Sequence, residues 1–150
     1  MAASKGKDIT DGHTDFYARF AKPGIVVAAY DPDSFDHAVT KQQLEILRTA
    51  TDANGRNLEV IVLEAPSQIR DKDASDDFAA GYINFYVCNG AVIAPEFGDK
   101  KADADAKHKL EQLFPNREII LLNIDGIAAG GGGIHCTTYS GPRKLDNMLR

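Results

Sequence analysis

Tyr82-Ile83-Asn84-Phe85-Tyr86-Val87-Cys88-Asn89-Gly90-Ala91-Val92-Ile93-Ala94-Pro95 is the stretch that decides the fold. Two apolar, β-prone runs, 82–87 and 91–94, flank Asn89-Gly90, a dipeptide suited to a tight hairpin turn. Beyond Pro95, the residues Ala102, Ala106, Leu110, Leu113 and Phe114 recur at the spacing of one helix face, so 99–114 is predicted helical. Pro115-Asn116 ends that helix, and Arg117 to Leu122 reads as a further β-branched strand. The predicted unit is strand–strand–helix–strand.

Moving outward toward the N-terminus, the same order recurs. Asp15 to Phe20 reads as a strand, Lys22-Pro23-Gly24 as a turn, and Ile25 to Tyr30 as a second strand. Asp31-Pro32-Asp33-Ser34 breaks the pattern and offers helix caps. Residues 35–51 are predicted helical, with Val39, Gln43, Ile46, Leu47 and Ala50 close to one face, and Asn54-Gly55 stops the helix. Leu58 to Leu63 is the third strand, ended near Pro66. Phe16-Tyr17 matches Phe85-Tyr86, and Gly24 matches Gly90, so the chain holds two copies of one module. Ile134 to Thr138 is expected to open a third copy as a strand. Between the copies, Ser67 to Ala80 is polar and charged and reads as a solvated loop, with a lid as the alternative.

Composition narrows the class. The 150 residues are 43% hydrophobic and 26% charged, an ordinary globular balance, with a net charge of -5. An acidic chain without a basic stripe argues against nucleic acid and against anionic membranes as partners. No run approaches the length of a membrane-spanning helix, and Met1 to Asp8 does not read as a secretory signal. Two cysteines, Cys88 and Cys136, make no disulfide framework, so a reducing, cytoplasmic setting is expected. Cys88 reads as a small buried residue.

Two motifs carry candidate chemistry: Asp11-Gly12-His13-Thr14-Asp15, and Gly130-Gly131-Gly132-Gly133-Ile134-His135-Cys136. On a strand, side chains two apart share a face, which would point His13 and Asp15 the same way. Cys136 lies at the corresponding start of the third copy, so it and His13 are expected to converge. A glycine run between a strand and a cysteine suits a shaped, ligand-facing turn in which backbone approaches a ligand closely. It lacks the Lys-Ser/Thr ending of a phosphate loop. The candidate catalytic residues are Cys136, His13 and Asp15; the candidate substrate-binding residues are Asp15, Gly131, Gly132 and Asn84. A zinc site from His13, Asp15, His135 and Cys136 is the metal alternative, but neither C-x-x-C nor H-x-x-x-H spacing is present, and no metal or cofactor is expected. His37 and His108 are assigned nothing.

The runs ITDGHTDFYARFAKPG, AAGYINFYVCNGAVIAPEFGD and AAGGGGIHCTT together resemble the agmatine deiminases of the agmatine and peptidylarginine deiminase family, from about Ile9 to Thr138. The resemblance implies an α/β fold, a partial pentein propeller with two strand–strand–helix–strand modules plus the start of a third. Residues 1–150 would then be one partial deiminase domain, the C-terminal portion of the propeller, with disordered tails at 1–8 and 140–150. It implies hydrolysis of a guanidinium group, agmatine giving N-carbamoylputrescine and ammonia, on the way to putrescine. By the same resemblance Cys136 is the nucleophile, His13 moves the protons, and Asp15 grips the guanidinium. These residue types suit the chemistry: a thiolate is a soft nucleophile for a poor electrophile, imidazole can give and take a proton near neutral pH, and a carboxylate matches a guanidinium fork. Other readings are deimination of arginine in peptides, a catalytically incomplete guanidinium-binding or assembly fragment, and a plain repeat scaffold. The expected partner is a small cationic guanidine, with a homo-oligomer or a missing N-terminal half as further possibilities.

Overall fold

The computed structural model describes residues 12–32, 37–70 and 77–141. A 3-10 turn, Thr14–Phe16, leads into β1 (Ala18–Lys22) and β2 (Ile25–Tyr30), then α1 (His37–Thr49) and β3 (Glu59–Glu64). The order repeats as β4 (Tyr86–Cys88), β5 (Ala91–Glu96), α2 (Lys100–Leu113) and β6 (Glu118–Asn123). A short α3 (Asp125–Ala128) and a second 3-10 turn, His135–Thr137, follow. The tails expected at 1–8 and 140–150 lie outside the described residues, apart from Ser140 and Gly141, as does Asp11.

Each module is a mixed three-stranded sheet, β1-β2-β3 or β4-β5-β6. The first pair in each is an antiparallel hairpin and the second pair is parallel through the helix. The two modules share one register. Ile25 faces Glu59 and Ala91 faces Glu118, and Gly24 O and Gly90 O each accept the N–H of those glutamates at 2.9 Å. Gly24 and Gly90 hold φ of 81° and 84°, the left-handed region that a hairpin turn needs here and that glycine enters without steric cost.

α2 touches β3 as well as β5 and β6, so it lies between the sheets, and one core cluster joins the modules. Its buried face is Ala106, Leu110, Leu113 and Phe114, as the periodicity predicts. Asp99 caps its first turn through Lys101 N–H and Ala102 N–H. Buried Asp103 accepts bonds from the Tyr82 hydroxyl and from the N–H groups of Phe97 and Gly98, fixing the chain just ahead of β4. Among the described residues no helix is long and apolar enough to cross a membrane.

Several expectations need correction. The strand predicted at 15–20 starts only at Ala18, because Phe16 N–H and Tyr17 N–H bond back to His13 O and Thr14 O as a 3-10 turn. The strand predicted at 82–87 is confined to 86–88, since the carbonyls of Ile83 and Phe85 are taken by Arg19 and that of Asn84 by His135 N–H. The third-copy strand at 134–138 is a 3-10 turn, where the hydroxyls of Thr137 and Thr138 bond to carbonyls three or four residues back. On α1 the buried residues are Thr40 and Leu44, and Ile46 is exposed. Cys88 is only partly buried, its thiol against Ala91 O. The described ends of the 67–80 loop are anchored. Ser67 bonds the Asp99 carboxylate, Arg70 pairs with Glu96 and Asp125, and Ile69, Phe78 and Ala80 pack on the core.

Leu110→Ala should therefore cost about 2–5 kcal/mol of stability, measured as a fall in the urea midpoint. Ile46→Ala should cost less than about 0.5 kcal/mol. Equal losses would contradict this assignment of the helix faces.

Candidate active site

The site forms where the starts of successive modules meet. Asp15 sits in the 3-10 turn before β1, Asn84 just before β4, and Cys136 in the 3-10 turn His135–Thr137. Since Phe16-Tyr17 and Phe85-Tyr86 are repeat equivalents, Asp15 and Asn84 occupy the same place in their modules. Asn84 is completely buried and its amide is the hub. Its Nδ2 donates to Asp15 Oδ2 at 3.1 Å and lies 3.5 Å from Cys136 Sγ. Its Oδ1 accepts from His135 N–H at 2.8 Å, with the Cys136 N–H at 3.4 Å. The Asn84 carbonyl also accepts from His135 N–H, at 3.1 Å.

Cys136 is exposed, and its Sγ stands 3.7 Å from Asp15 Oδ2, across 121 positions of sequence. His135 Nδ1 lies 2.7 Å from the same oxygen. Partial burial pushes the Asp15 carboxyl up, but the hydrogen bond and charge of His135, with the Asn84 bond, outweigh it and hold the carboxyl below its usual range. Behind these groups, Arg19 donates to the carbonyls of Ile83 and Phe85, the residues flanking Asn84, and stacks 4.5 Å above the Phe85 ring. Burial lowers the Arg19 pKa, against the attraction of Asp15 and Cys136. This protein guanidinium is committed to main-chain oxygens and makes no hydrogen bond to the Asp15 carboxylate.

The glycine run shapes the approach to Cys136. Gly130, Gly131 and Gly132 N–H groups bond back to Ile127 O and Ala128 O, closing the turn behind α3. A ligand contact from Gly131 or Gly132 would therefore use a carbonyl or Cα–H. Gly133 has a different reason to be glycine: a Cβ there would lie 2.2 Å from Asn84 Oδ1 and 2.8 Å from Asn84 Cβ. The close backbone approach lets His135 and Cys136 present their N–H groups to Asn84.

Among the sequence-derived candidates, Asp15, Asn84 and Cys136 come together. His13 is exposed at the start of the first 3-10 turn, and among the described residues its ring bonds neither Cys136 nor Asp15. The expected shared strand face of His13 and Asp15 does not exist, because that segment is a turn. Sequence reasoning missed two residues. From sequence, His135 enters only as a metal-ligand alternative, though its place beside Cys136 is a signal. Arg19, a cation within a β-prone run, was the other. Among the described residues no group of His, Cys, Asp and Glu side chains is arranged to hold a metal ion.

The sequence profile of the Porphyromonas-type peptidyl-arginine deiminases matches residues 2–142. The chain belongs to that family. A Streptomyces coelicolor protein provisionally named an agmatine deiminase is 44% identical over 95% of this chain and 42% of its own length. The agmatine deiminase of Medicago truncatula is 37% identical, over 91% of this chain and 42% of that protein. The solved agmatine deiminase of Enterococcus faecalis superposes with a TM-score of 0.74 at 31% identity, covering 85% of this chain and 39% of that one. The chain thus spans about two fifths of the length of these relatives and shares the mixed α/β fold of the solved one.

The lowered carboxyl gives a pH signature for this family member. A folded-state pKa below the unfolded one means that the Asp15 contacts stabilise the fold above the ordinary carboxylate range and lose that contribution as pH falls through the lowered value. A carbon-13 titration of the Asp15 carboxyl should give a midpoint below that of an ordinary aspartate. A midpoint at or above it would contradict the geometry.

Proposed function

We propose that this chain carries the nucleophile-bearing part of a guanidinium hydrolase that converts agmatine and water to N-carbamoylputrescine and ammonia. The single observation supporting it most is the convergence of the Cys136 thiol and the Asp15 carboxylate, 3.7 Å apart, on buried Asn84. The agmatine deiminase names of its relatives support a guanidine such as agmatine as the substrate.

In this reading Asp15 accepts N–H groups of the substrate guanidinium through charge-assisted bonds. The Cys136 thiolate attacks the guanidinium carbon and forms a C–S bond. The C–N bond then breaks, and the departing nitrogen takes a proton from His13 and leaves as ammonia. Water adds to the resulting thiouronium carbon while His13 takes back a proton, and expulsion of the thiolate, with the hydroxyl proton passing to the released ammonia, frees the ureido product. His13 would have to bring its exposed ring to the sulfur when substrate is bound. Further modules, from the part of the relatives' length outside this chain, would complete a propeller around the site and supply the rest of the substrate pocket. Turnover of this kind is a step toward putrescine. The family's description favours a second substrate, arginine within a peptide.

In the 150-residue chain, iodoacetamide should alkylate Cys136 much faster than Cys88, and agmatine should slow labelling of Cys136 alone, read by mass spectrometry. Equal rates without protection would reject the reading. Where ammonia release from agmatine is measured, Cys136→Ser should reduce it by about 10³-fold or more. Protection by a peptide with C-terminal arginine at lower concentrations than agmatine would favour the second substrate.

A further inference from the structure

All the side-chain contacts of the Asp15 carboxylate fall on one oxygen. Asn84 Nδ2 at 3.1 Å, His135 Nδ1 at 2.7 Å and Cys136 Sγ at 3.7 Å converge on Oδ2. No side chain among the described residues bonds Oδ1. An ionised carboxylate only accepts, so the His135 contact requires a proton on Nδ1. The placement of His135 does not depend on its ring, because its main-chain N–H is already held by Asn84 O and Oδ1. The side chain is 42% exposed, so packing does not account for its contact with Asp15.

We propose that His135 is a positioning residue. By donating Nδ1–H to Oδ2, it sets the rotation of the Asp15 carboxylate and reserves Oδ1 for an N–H of a guanidinium ligand. Asn84 Nδ2 and the main-chain N–H of Asp15 also donate to this carboxylate, and His135 adds a further donor that narrows its rocking. Cys136 lies on the Oδ2 side, so a ligand held at Oδ1 is offered to the sulfur rather than placed over it. This role rests on the deiminase reading and adds a residue that carries no step of that reaction.

The test uses the 150-residue chain and agmatine as probe, reading protection of Cys136 from iodoacetamide. His135→Leu, without a donor, should need about ten- to hundredfold more agmatine for half protection, the range expected for losing a hydrogen bond to a charged group. His135→Asn, whose Nδ2 can stand where Nδ1 stands, should recover most of it. Equal protection of wild type and His135→Leu would overturn the positioning role while leaving the deiminase reading intact. No protection of any form, wild type included, would overturn both. A wild-type measurement covers the case in which the variants do not fold: the nitrogen-15 shift of His135 Nδ1 should be that of a protonated nitrogen, and an unprotonated Nδ1 would refute the proposal.

Discussion

One buried amide organises this part of the molecule. Asn84 has no solvent exposure, and its donors and acceptor are all spent inside the site: Nδ2 on the Asp15 carboxylate, Oδ1 on the N–H groups of His135 and Cys136. A buried amide left without partners costs about 1–3 kcal/mol per lost bond, so the chain has reason to keep all these segments in place together. The energetic need to satisfy Asn84 and the chemical need to bring Asp15 beside Cys136 are met by the same bonds. Gly133 belongs to this arrangement, because any side chain there would occupy the space of Asn84.

Duplication explains how residues so far apart in sequence reach one point. The modules share hairpin, helix and parallel register, so the segments ahead of β1 and β4 are equivalent by construction. One copy places an aspartate in that segment and the other an asparagine, which turns a like pair into a donor and an acceptor. Arg19 joins the copies from behind, by donating across the boundary to the carbonyls on either side of Asn84. On the other flank Arg70, from the loop between the modules, bridges Glu96 at the end of β5 and Asp125 at the start of α3, the helix whose closing turn begins the glycine run.

What the sequence made legible follows from which forces are local. The Asn89-Gly90 and Pro23-Gly24 turns, the α2 face and the third strand of each module are set by backbone preference and periodicity over a few residues. The segments at 15–17, 82–85 and 134–137 read as strand, the first two from their β-prone residues and the last from the repeat. The first folds otherwise because its N–H groups bond back as a 3-10 turn, the third because nearby Thr hydroxyls capture its carbonyls, and the second because Arg19 and the His135 N–H do, which no window along the chain reveals. The same holds for the site. Cys136 and Asp15 stood out by motif, while His135 gained its meaning only from Asp15, 120 positions earlier. Ile46 shows a smaller version of this effect, since helical spacing placed it near an apolar face that α1 turns only partly toward the core.

The central claim is that the segments ahead of two modules and the Cys136 turn meet at one point, with the thiol facing the Asp15 position. Disulfide trapping tests this most directly. In a Cys88→Ser background, Asp15→Cys should form an intramolecular disulfide with Cys136 under mild oxidation, detected as a cross-linked peptide pair. Free thiols, or cross-links only between chains, would contradict it.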